Sequence, residues 1–223
     1  MPGTMIQFAS NGGKTPGYLS APAKGTGPGV IVIQEWWGLV PHIKHVADRF
    51  AEAGYVALAP DLYHGKAAAE PDDARKLMME MQIAQAAKDM TGAVAFLRGH
   101  ANVFPKRVGC IGFCMGGGMT LYLASLGVID AAAPFYGGLS KVTPDWSGVK
   151  CPIEGHYAEH DGPTDGLPLV RDALKKAGKQ AEFHIYAGTQ HAFFNDDRPQ
   201  VFHPAAAEQA WARVMAFFGQ NLK

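Results

Sequence analysis

The sequence predicts an α/β fold with a mostly parallel sheet that carries helices on both faces. Short apolar runs rich in β-branched residues alternate along the chain with longer segments of helical periodicity. The inner runs are continuously apolar, which is typical of strands buried on both faces. No internal repeat or long linker divides the 223 residues. We therefore expect a single domain over residues 1–223.

Glycine, proline and other turn residues bound the predicted strands. The expected core strands cover residues 30–34, 55–59, 107–111, 131–135 and 151–157. Residues 181–186 alternate between polar and apolar side chains, as an outer strand does. Residues 5–8 and 17–20 are candidates for antiparallel strands at one edge.

The segments between these strands repeat their apolar residues at helical spacing. Residues 42–53 place Ile43, Val46 and Phe50 on one face, and Gly54 follows as a stop signal. Further helices are expected over residues 72–99 (as one helix or two), 115–126, 169–177 and 204–221. Strands alternating with helices of this length favour a parallel sheet covered on both sides.

Composition excludes several classes of protein. The chain holds 20 basic and 20 acidic residues, so no positive excess is available for nucleic acid. It lacks both a run of about 18 apolar residues and a secretory pattern in residues 1–10, so neither a membrane segment nor export is expected. Its three cysteines fit no disulfide framework, which favours reduced thiols and a cytoplasmic location. The oligomeric state is not predicted.

The segment Gly112-Phe113-Cys114-Met115-Gly116 has the form G-x-C-x-G and lies between a predicted strand and a predicted helix. With serine in place of cysteine, this pattern is the nucleophile elbow of α/β-hydrolases. Small flanking residues permit the tight turn, and the following helix start favours a thiolate. The alternative is a buried cysteine in a glycine-rich turn. Cys110 and Cys151 are interpreted as core residues.

An α/β-hydrolase supplies an acid and then a histidine after the nucleophile, each at the end of a later strand. Asp161 and His191 meet both conditions, with His191 as proton carrier and Asp161 as its orienting partner. Asp161 could instead cap the following helix. Glu159 and Asp165 are weaker candidates for the acid.

The loop after the first core strand reads Gln34-Glu35-Trp36-Trp37-Gly38. This fold places an oxyanion-hole donor there, so the backbone N–H groups of Trp36 and Met115 are the candidates. Glu35 lies between an apolar strand and two tryptophans and is expected to be buried; it either takes part in the chemistry or is held by backbone donors. Histidine pairs 42/45 and 156/160 have no accompanying ligand set, so no metal is expected.

Five segments, in this order and over nearly the whole chain, resemble the dienelactone hydrolase (carboxymethylenebutenolidase) family. They are Gln34-Glu35-Trp36-Trp37-Gly38, Ala59-Pro60-Asp61-Leu62-Tyr63, Gly112-Phe113-Cys114-Met115-Gly116-Gly117, the loop at Asp161, and His191-Ala192-Phe193. The resemblance implies a cofactor-free hydrolase that cleaves lactone or ester bonds through an acyl-enzyme. It gives Cys114, His191 and Asp161 the roles of a triad and implies that Glu35 activates the thiol when substrate arrives.

The substrate is less well defined. Well-known members of the family hold a substrate carboxylate with two arginines, and this chain has Asn195 and Pro71 at those positions. Arg75 and Arg198 are nearby and, with Trp37 and Tyr136, are the candidates for substrate contacts. Only a short segment separates residues 136 and 151, which is too little for a helical cap domain, so a shallow pocket and a small or exposed substrate are expected.

Three functions are compatible with these residues. The first is a lactone or ester hydrolase with a thiol nucleophile. The second is a general carboxylesterase or thioesterase that uses the same groups. The third is a non-catalytic or redox-responsive binding protein, which has no need for Asp161 and His191 in register with the cysteine.

Overall fold

A computed structural model describes residues 2–223. Its strands, in chain order, are β1 (Thr4–Ser10), β2 (Gly13–Ser20), β3 (Gly27–Ile33), β4 (Val56–Pro60), β5 (Val103–Phe113), β6 (Ala131–Phe135), β7 (Ile153–His160) and β8 (Ala181–Gln190). Its helices are α1 (Pro41–Glu52), α2 (Pro71–Glu80), α3 (Ile83–Gly99), α4 (Met115–Ser125), α5 (Gly162–Asp165), α6 (Leu167–Lys176) and α7 (Pro204–Leu222), with a 3₁₀ turn at Trp146–Gly148.

The eight strands form one sheet of order β1-β2-β4-β3-β5-β6-β7-β8. Strands β3 to β8 run parallel to one another, while β1 and β2 form an antiparallel hairpin that pairs with β4. The chain moves from β3 outward to β4 and then returns to β5 on the other side of β3. This reversal opens a crevice at the carboxyl ends of β3 and β5, where open α/β sheets bind ligands.

Two apolar cores lie on opposite faces of the sheet. Val30 and Val32 of β3 point into the core formed with α1 and α7. Ile31 and Ile33 point the other way, into the core formed with α3, α4 and α6. All seven residues of β3 are buried, as the continuous apolar run predicts. The α/β-hydrolase fold class is thus confirmed.

A buried carboxylate joins the hairpin to the rest of the molecule. Asp89 of α3 is fully buried and accepts hydrogen bonds from Ser10 and Thr15 of the hairpin, at 2.8 and 2.9 Å. The Gln85 amide donates to it at 3.0 Å, and His64 Nε2 lies 2.9 Å from its other oxygen. Every polar side chain in this contact has a partner, which is the condition under which a buried carboxylate stabilises a fold.

Most predicted elements are present, with differences in extent. The stretch 72–99 contains two helices, because Met81 and Gln82 both adopt extended backbone angles. Strand β5 begins four residues earlier than predicted, at Val103, and β8 continues to Gln190. Between β6 and β7 the only helical structure in the described chain is the short 3₁₀ turn, so loops surround the crevice there, as expected without a cap domain.

The three cysteines are free thiols. Cys110 and Cys151 are buried in the core, as predicted, and burial raises the pKa of each to about 12. Cys114 is half-buried. Within residues 2–223, no helix combines the length and apolarity needed to cross a membrane.

Candidate active site

Strand register brings Glu35, Cys114 and Tyr136 to one place. Ile33 pairs with Gly112, so the residues that follow β3 and β5 emerge beside each other. Phe113 pairs with Phe135, and the Cys114 N–H donates to the Phe135 carbonyl at 3.1 Å, which sets Tyr136 next to the cysteine. Three neighbouring parallel strands therefore deliver three functional side chains to the crevice.

The turn at Cys114 depends on glycine. Cys114 has φ 57° and ψ −117°, a conformation that non-glycine residues rarely adopt and that is typical of strained functional positions. A Cβ on Gly116 would lie 2.6 Å from the Ile33 carbonyl oxygen and 2.5 Å from that of Gln34. A Cβ on Gly112 would overlap the Gly116 carbonyl oxygen. The glycines therefore allow the first turn of α4 to pack directly against the end of β3, and Cys114 occupies the N-cap position of α4.

A second register pair places the acid beside the histidine. His160 at the end of β7 pairs with Gln190 at the end of β8, so the next residues, Asp161 and His191, are neighbours. His191 Nδ1 lies 2.7 Å from Asp161 Oδ2. Asp161 occupies the N-cap position of α5, but its side chain makes no capping hydrogen bond. The carboxylate is directed at the imidazole and not at the helix.

Opposing influences act on His191. Burial lowers its pKa, but the hydrogen bonds to Asp161 and Cys114 and the negative charges of both groups outweigh burial and raise the pKa to about 10. With Nδ1 donating to Asp161, Nε2 is the ring nitrogen left for Cys114. The geometry therefore places a protonatable imidazole between a carboxylate and a thiol, with a different ring nitrogen facing each.

Glu35 is almost completely buried, at 1% exposure. Its Oε2 accepts a hydrogen bond of 2.7 Å from the Asn195 amide. The side-chain oxygen of Asn195, Oδ1, accepts a hydrogen bond of 3.1 Å from the Asp197 N–H. This contact fixes the orientation of the amide, so that its NH₂ group faces Glu35. The alternative in which backbone donors hold Glu35 is therefore not what the structure shows, because the donor is a side chain.

The two candidate oxyanion donors lie at the starts of the loop and of the helix that border the crevice. Trp36 directly follows Glu35, and Met115 is the first residue of α4. Within residues 2–223, neither N–H donates to an intramolecular acceptor. Unpaired N–H groups at a helix start are suited to hold developing negative charge.

The four candidates for substrate contacts are not placed alike. Tyr136 is fully buried, and burial is the main cause that raises the pKa of its hydroxyl. The negative charges of Glu35, Cys114 and Asp161 raise this pKa further, whereas the positive charge of Arg198 lowers it. Arg198 is half-buried and its guanidinium lies 5.4 Å from the Trp37 ring centroid. The structure thus brings Tyr136, Trp37 and Arg198 to the site. Arg75 is exposed on α2, and in the described chain no contact joins it to this group.

Two residues of the site have roles that the sequence did not suggest. In the sequence, Asn195 was noted only because well-known family members have an arginine at this position. In the structure its side chain is the hydrogen-bond partner of Glu35. The Tyr63 hydroxyl donates to the Met115 sulfur at 3.3 Å, and the Cys114 charge contributes to raising its pKa after burial. For Tyr63 the sequence held one signal, its place in the segment Ala59-Pro60-Asp61-Leu62-Tyr63. In the structure Asp61 accepts from the N–H groups of Tyr63 and Gly65 and so fixes the turn.

Comparison with known proteins agrees with this geometry. The model of the dienelactone hydrolase family matches residues 15–222, which is nearly the whole chain. The chain belongs to the dienelactone hydrolase family. Among relatives, "Protein usf" of Aquifex pyrophilus is 42% identical over 99% of both chains. A "Putative carboxymethylenebutenolidase" of Aquifex aeolicus is 36% identical over 99% of this chain and 100% of its own length.

Solved structures of dienelactone hydrolases share the architecture. A "Putative Dienelactone Hydrolase" from Klebsiella pneumoniae is 29% identical, with a TM-score of 0.88 over 98% of each chain. As a member of the dienelactone hydrolase family, the protein is a hydrolase that acts on ester or lactone bonds. Its small-molecule substrates are therefore esters or lactones, as the resemblance implied.

Proposed function

We propose that this member of the dienelactone hydrolase family cleaves its substrate through an acyl-enzyme on Cys114, with His191 and Asp161 completing a triad. The observation that carries the proposal is the 2.7 Å contact between His191 Nδ1 and Asp161 Oδ2, which leaves Nε2 for the cysteine in the adjacent strained turn. A protein that only binds a ligand needs neither this contact nor the turn.

Acylation begins with the thiolate of Cys114. Its sulfur attacks the carbonyl carbon and forms a C–S bond, while the carbonyl oxygen takes the negative charge and accepts from the N–H groups of Trp36 and Met115. The intermediate then breaks the C–O bond of the ester. The departing alkoxide takes the proton from His191 Nε2, which yields the alcohol, a thioester and a neutral imidazole. With a lactone the alcohol stays attached to the acyl group.

In deacylation His191 acts as a general base, whereas in acylation it acts as a general acid. Once Cys114 is acylated it has lost its negative charge, and with it one of the influences that raise the pKa of His191. The neutral imidazole takes a proton from water as the new oxygen attacks the thioester carbon. The C–S bond breaks, the acid departs, and the thiolate and imidazolium are restored with no net change in the enzyme.

Glu35 is proposed to control the ionisation of Cys114. A buried carboxylate next to a thiol disfavours the thiolate by like-charge repulsion, whereas His191 and the start of α4 favour it. A resting thiol kept partly protonated would resist oxidation until substrate displaces Glu35. The support is the strand register: Ile33 pairs with Gly112, and Glu35 and Cys114 each lie two residues further on, so the carboxylate and the thiol leave neighbouring parallel strands side by side.

A general carboxylesterase or thioesterase on the same groups is the alternative. The two clamp arginines of well-known family members are not matched, and Glu35 faces the neutral amide of Asn195 instead. We therefore propose a small, exposed ester or lactone in which at most one anionic group is held, by Arg198. A panel of lactones, neutral esters, carboxylate-bearing esters and thioesters, compared by kcat/KM, separates these substrate classes.

The mechanism is tested by replacing each thiol in turn. Cys114→Ala should abolish turnover of an activated ester while the circular dichroism spectrum and thermal midpoint stay close to those of the parent. Cys110→Ala and Cys151→Ala are the matched controls and should keep most of the activity. Mass spectrometry of the parent protein quenched during turnover should show the acyl adduct on the peptide that contains Cys114. Full activity in Cys114→Ala would overturn the proposal.

The role of Glu35 has its own test. Glu35→Gln removes the charge and keeps the shape, so alkylation of Cys114 should become faster at a given pH below the thiol's pKa. Glu52→Gln, an exposed change at the end of α1, is the control. An unchanged pH profile of alkylation, with any lost activity matched by lost stability, would leave Glu35 as a structural residue of the loop.

A further inference from the structure

A group of carboxylates and imidazoles lies on the last two strands of the sheet, away from the catalytic crevice. Glu154 of β7 pairs with Glu182 of β8, and His156 pairs with His184. Alternate residues of a strand point to the same face, so the four side chains form a square on one face of the sheet. They belong to the amino-terminal half of β7, whereas Asp161 follows its carboxyl end.

Distances within the square match those around a small cation. His184 Nε2 lies 3.8 Å from Glu154 Oε2 and 3.6 Å from Glu182 Oε1. One ligand atom from each of Glu154, Glu182 and His184 lies within 4.8 Å of the other two. Ligands at about 2.1 Å from a tetrahedral zinc ion are separated by about 3.4 Å. The side chains are thus too far apart for good hydrogen bonds and close to the spacing that a shared ion requires.

A buried, unpartnered imidazole faces the same group. His156 is completely buried, and neither its Nε2 nor Glu154 Oε1 has a hydrogen-bond partner in the described chain, although the two atoms are 3.4 Å apart. On its other side, His156 Nδ1 lies 2.8 Å from the Tyr186 hydroxyl, to which Arg213 donates at 3.5 Å. When the Tyr186 hydroxyl donates to Nδ1, the ring proton of neutral His156 is on Nε2, the nitrogen that lies 3.4 Å from Glu154 Oε1.

This arrangement resembles a metal site with its supporting layer. A carboxylate that binds a metal normally receives a hydrogen bond that orients it, and His156 is placed to give one to Glu154. Arg213 donates to the Tyr186 hydroxyl, and within the described residues it forms no ion pair with Glu154 or Glu182, so both carboxylates remain open to a cation. Sequence spacing gave no sign of the group, because its members pair across strands.

We propose that Glu154, Glu182 and His184 bind a zinc ion, with water as the fourth ligand and His156 as the positioning residue of Glu154. Imidazole together with carboxylates favours Zn²⁺ over Mg²⁺ or Ca²⁺, which prefer oxygen ligands alone. The ion would tie β7 to β8, the two strands whose ends carry Asp161 and His191. Its role is therefore structural, independent of the proposed triad.

Calorimetric titration with Zn²⁺ tests the proposal, using untagged protein whose Cys114 has been alkylated so that the thiol cannot bind the metal. We expect one zinc ion per chain and a rise in the thermal midpoint on binding. Co²⁺ should give the visible absorption of a four-coordinate site. Glu182→Gln, an exposed change, and Tyr186→Phe, which alters only the supporting layer, should each weaken zinc binding by roughly tenfold or more.

Controls separate this site from others on the molecule. His45→Ala removes an exposed histidine of α1 and should leave zinc affinity unchanged. Mg²⁺ and Ca²⁺ at the same concentration should not bind. The proposal is overturned if alkylated protein binds no zinc, or if Glu182→Gln and Tyr186→Phe bind it as tightly as the parent. The second outcome would place the ion elsewhere, and the first would leave His184 as a simple ion-pair partner of the two glutamates.

Discussion

At the scale of single residues, the contact between Asn195 and Glu35 is the most consequential. A neutral amide satisfies one oxygen of the buried carboxylate without neutralising its charge. The negative charge therefore remains available to act on the nearby thiol, whereas an arginine at the same position would offset much of it. In the role proposed for Glu35, the residue at position 195 sets how strongly the carboxylate opposes ionisation of Cys114.

Loss of the Asn195 amide should destabilise the protein. Asn195→Leu leaves a buried carboxylate oxygen without a donor, so we expect the free energy of unfolding to fall by about 2–4 kcal/mol. Urea denaturation measures the change. In a Glu35→Gln background the same substitution should cost clearly less, because the oxygen left unpaired is neutral. Equal costs in both backgrounds would show that the contact with Glu35 contributes nothing.

The pKa of His191 predicts how stability changes with pH. The folded protein keeps the imidazole protonated up to about pH 10, whereas the unfolded chain releases that proton near about 6.5. The stabilisation from the bound proton is complete at pH values below the pKa of His191 in the unfolded chain. It is lost as the pH rises through the pKa of His191 in the folded protein. Because the side chain is 36% exposed, solvent screening limits the effect to on the order of 1 kcal/mol.

Urea midpoints measured between about pH 7 and about pH 10 test this expectation. The parent protein should become less stable across the interval, and His191→Gln should show a smaller decline. Parallel curves for the two proteins would mean that His191 does not hold its proton against solvent. The ion pair with Cys114 would then be absent from the resting enzyme.

At the scale of elements, the turn from β5 into α4 should tolerate no side chain at Gly116. Gly116→Ala puts a Cβ against two backbone carbonyl oxygens of the chain leaving β3, which cannot move aside as a side chain can. We expect a loss of roughly 2–3 kcal/mol in unfolding free energy and loss of activity, since Cys114 is displaced with the helix.

Gly219 provides the matched helical control. A Cβ at this position in α7 would meet no atom within 4 Å. Gly219→Ala should therefore stabilise the protein by about 0.5–1 kcal/mol, through the lower entropy of the unfolded chain, and leave kcat unchanged. If both substitutions had the same effect, close packing of α4 against β3 would not explain the glycine at 116.

Two elements differ from the sequence prediction for the same reason. Leu77, Met81 and Ala84 continue a helical pattern through the break between α2 and α3, and neither glycine nor proline marks the break. Strand β5 extends back from Arg107 to Val103, and Pro105 and the charged Lys106 conceal this part of the strand in the sequence. Both features are set by neighbouring elements, which local patterns do not record.

At the scale of the whole molecule, the parallel strands and the α/β class were predictable because strands buried on both faces leave continuous apolar runs in the sequence. Cys114, Asp161 and His191 could be predicted as neighbours because each follows a strand, and the ends of parallel strands meet at one edge of the sheet. The partner of Glu35 was not found, since Asn195 lies 160 positions away and reaches it from the loop after β8. The square on β7 and β8 was missed for the same reason, as strand order and register decide it.

The two buried thiols can report how often the folded protein opens. Cys110 and Cys151 lie in the core with their pKa values near about 12, so a disulfide reagent at mildly alkaline pH should modify one thiol per folded chain and three per unfolded chain. The slow appearance of the second and third labels would then time global opening. Simultaneous labelling of all three in native buffer would reveal a core far looser than this packing describes.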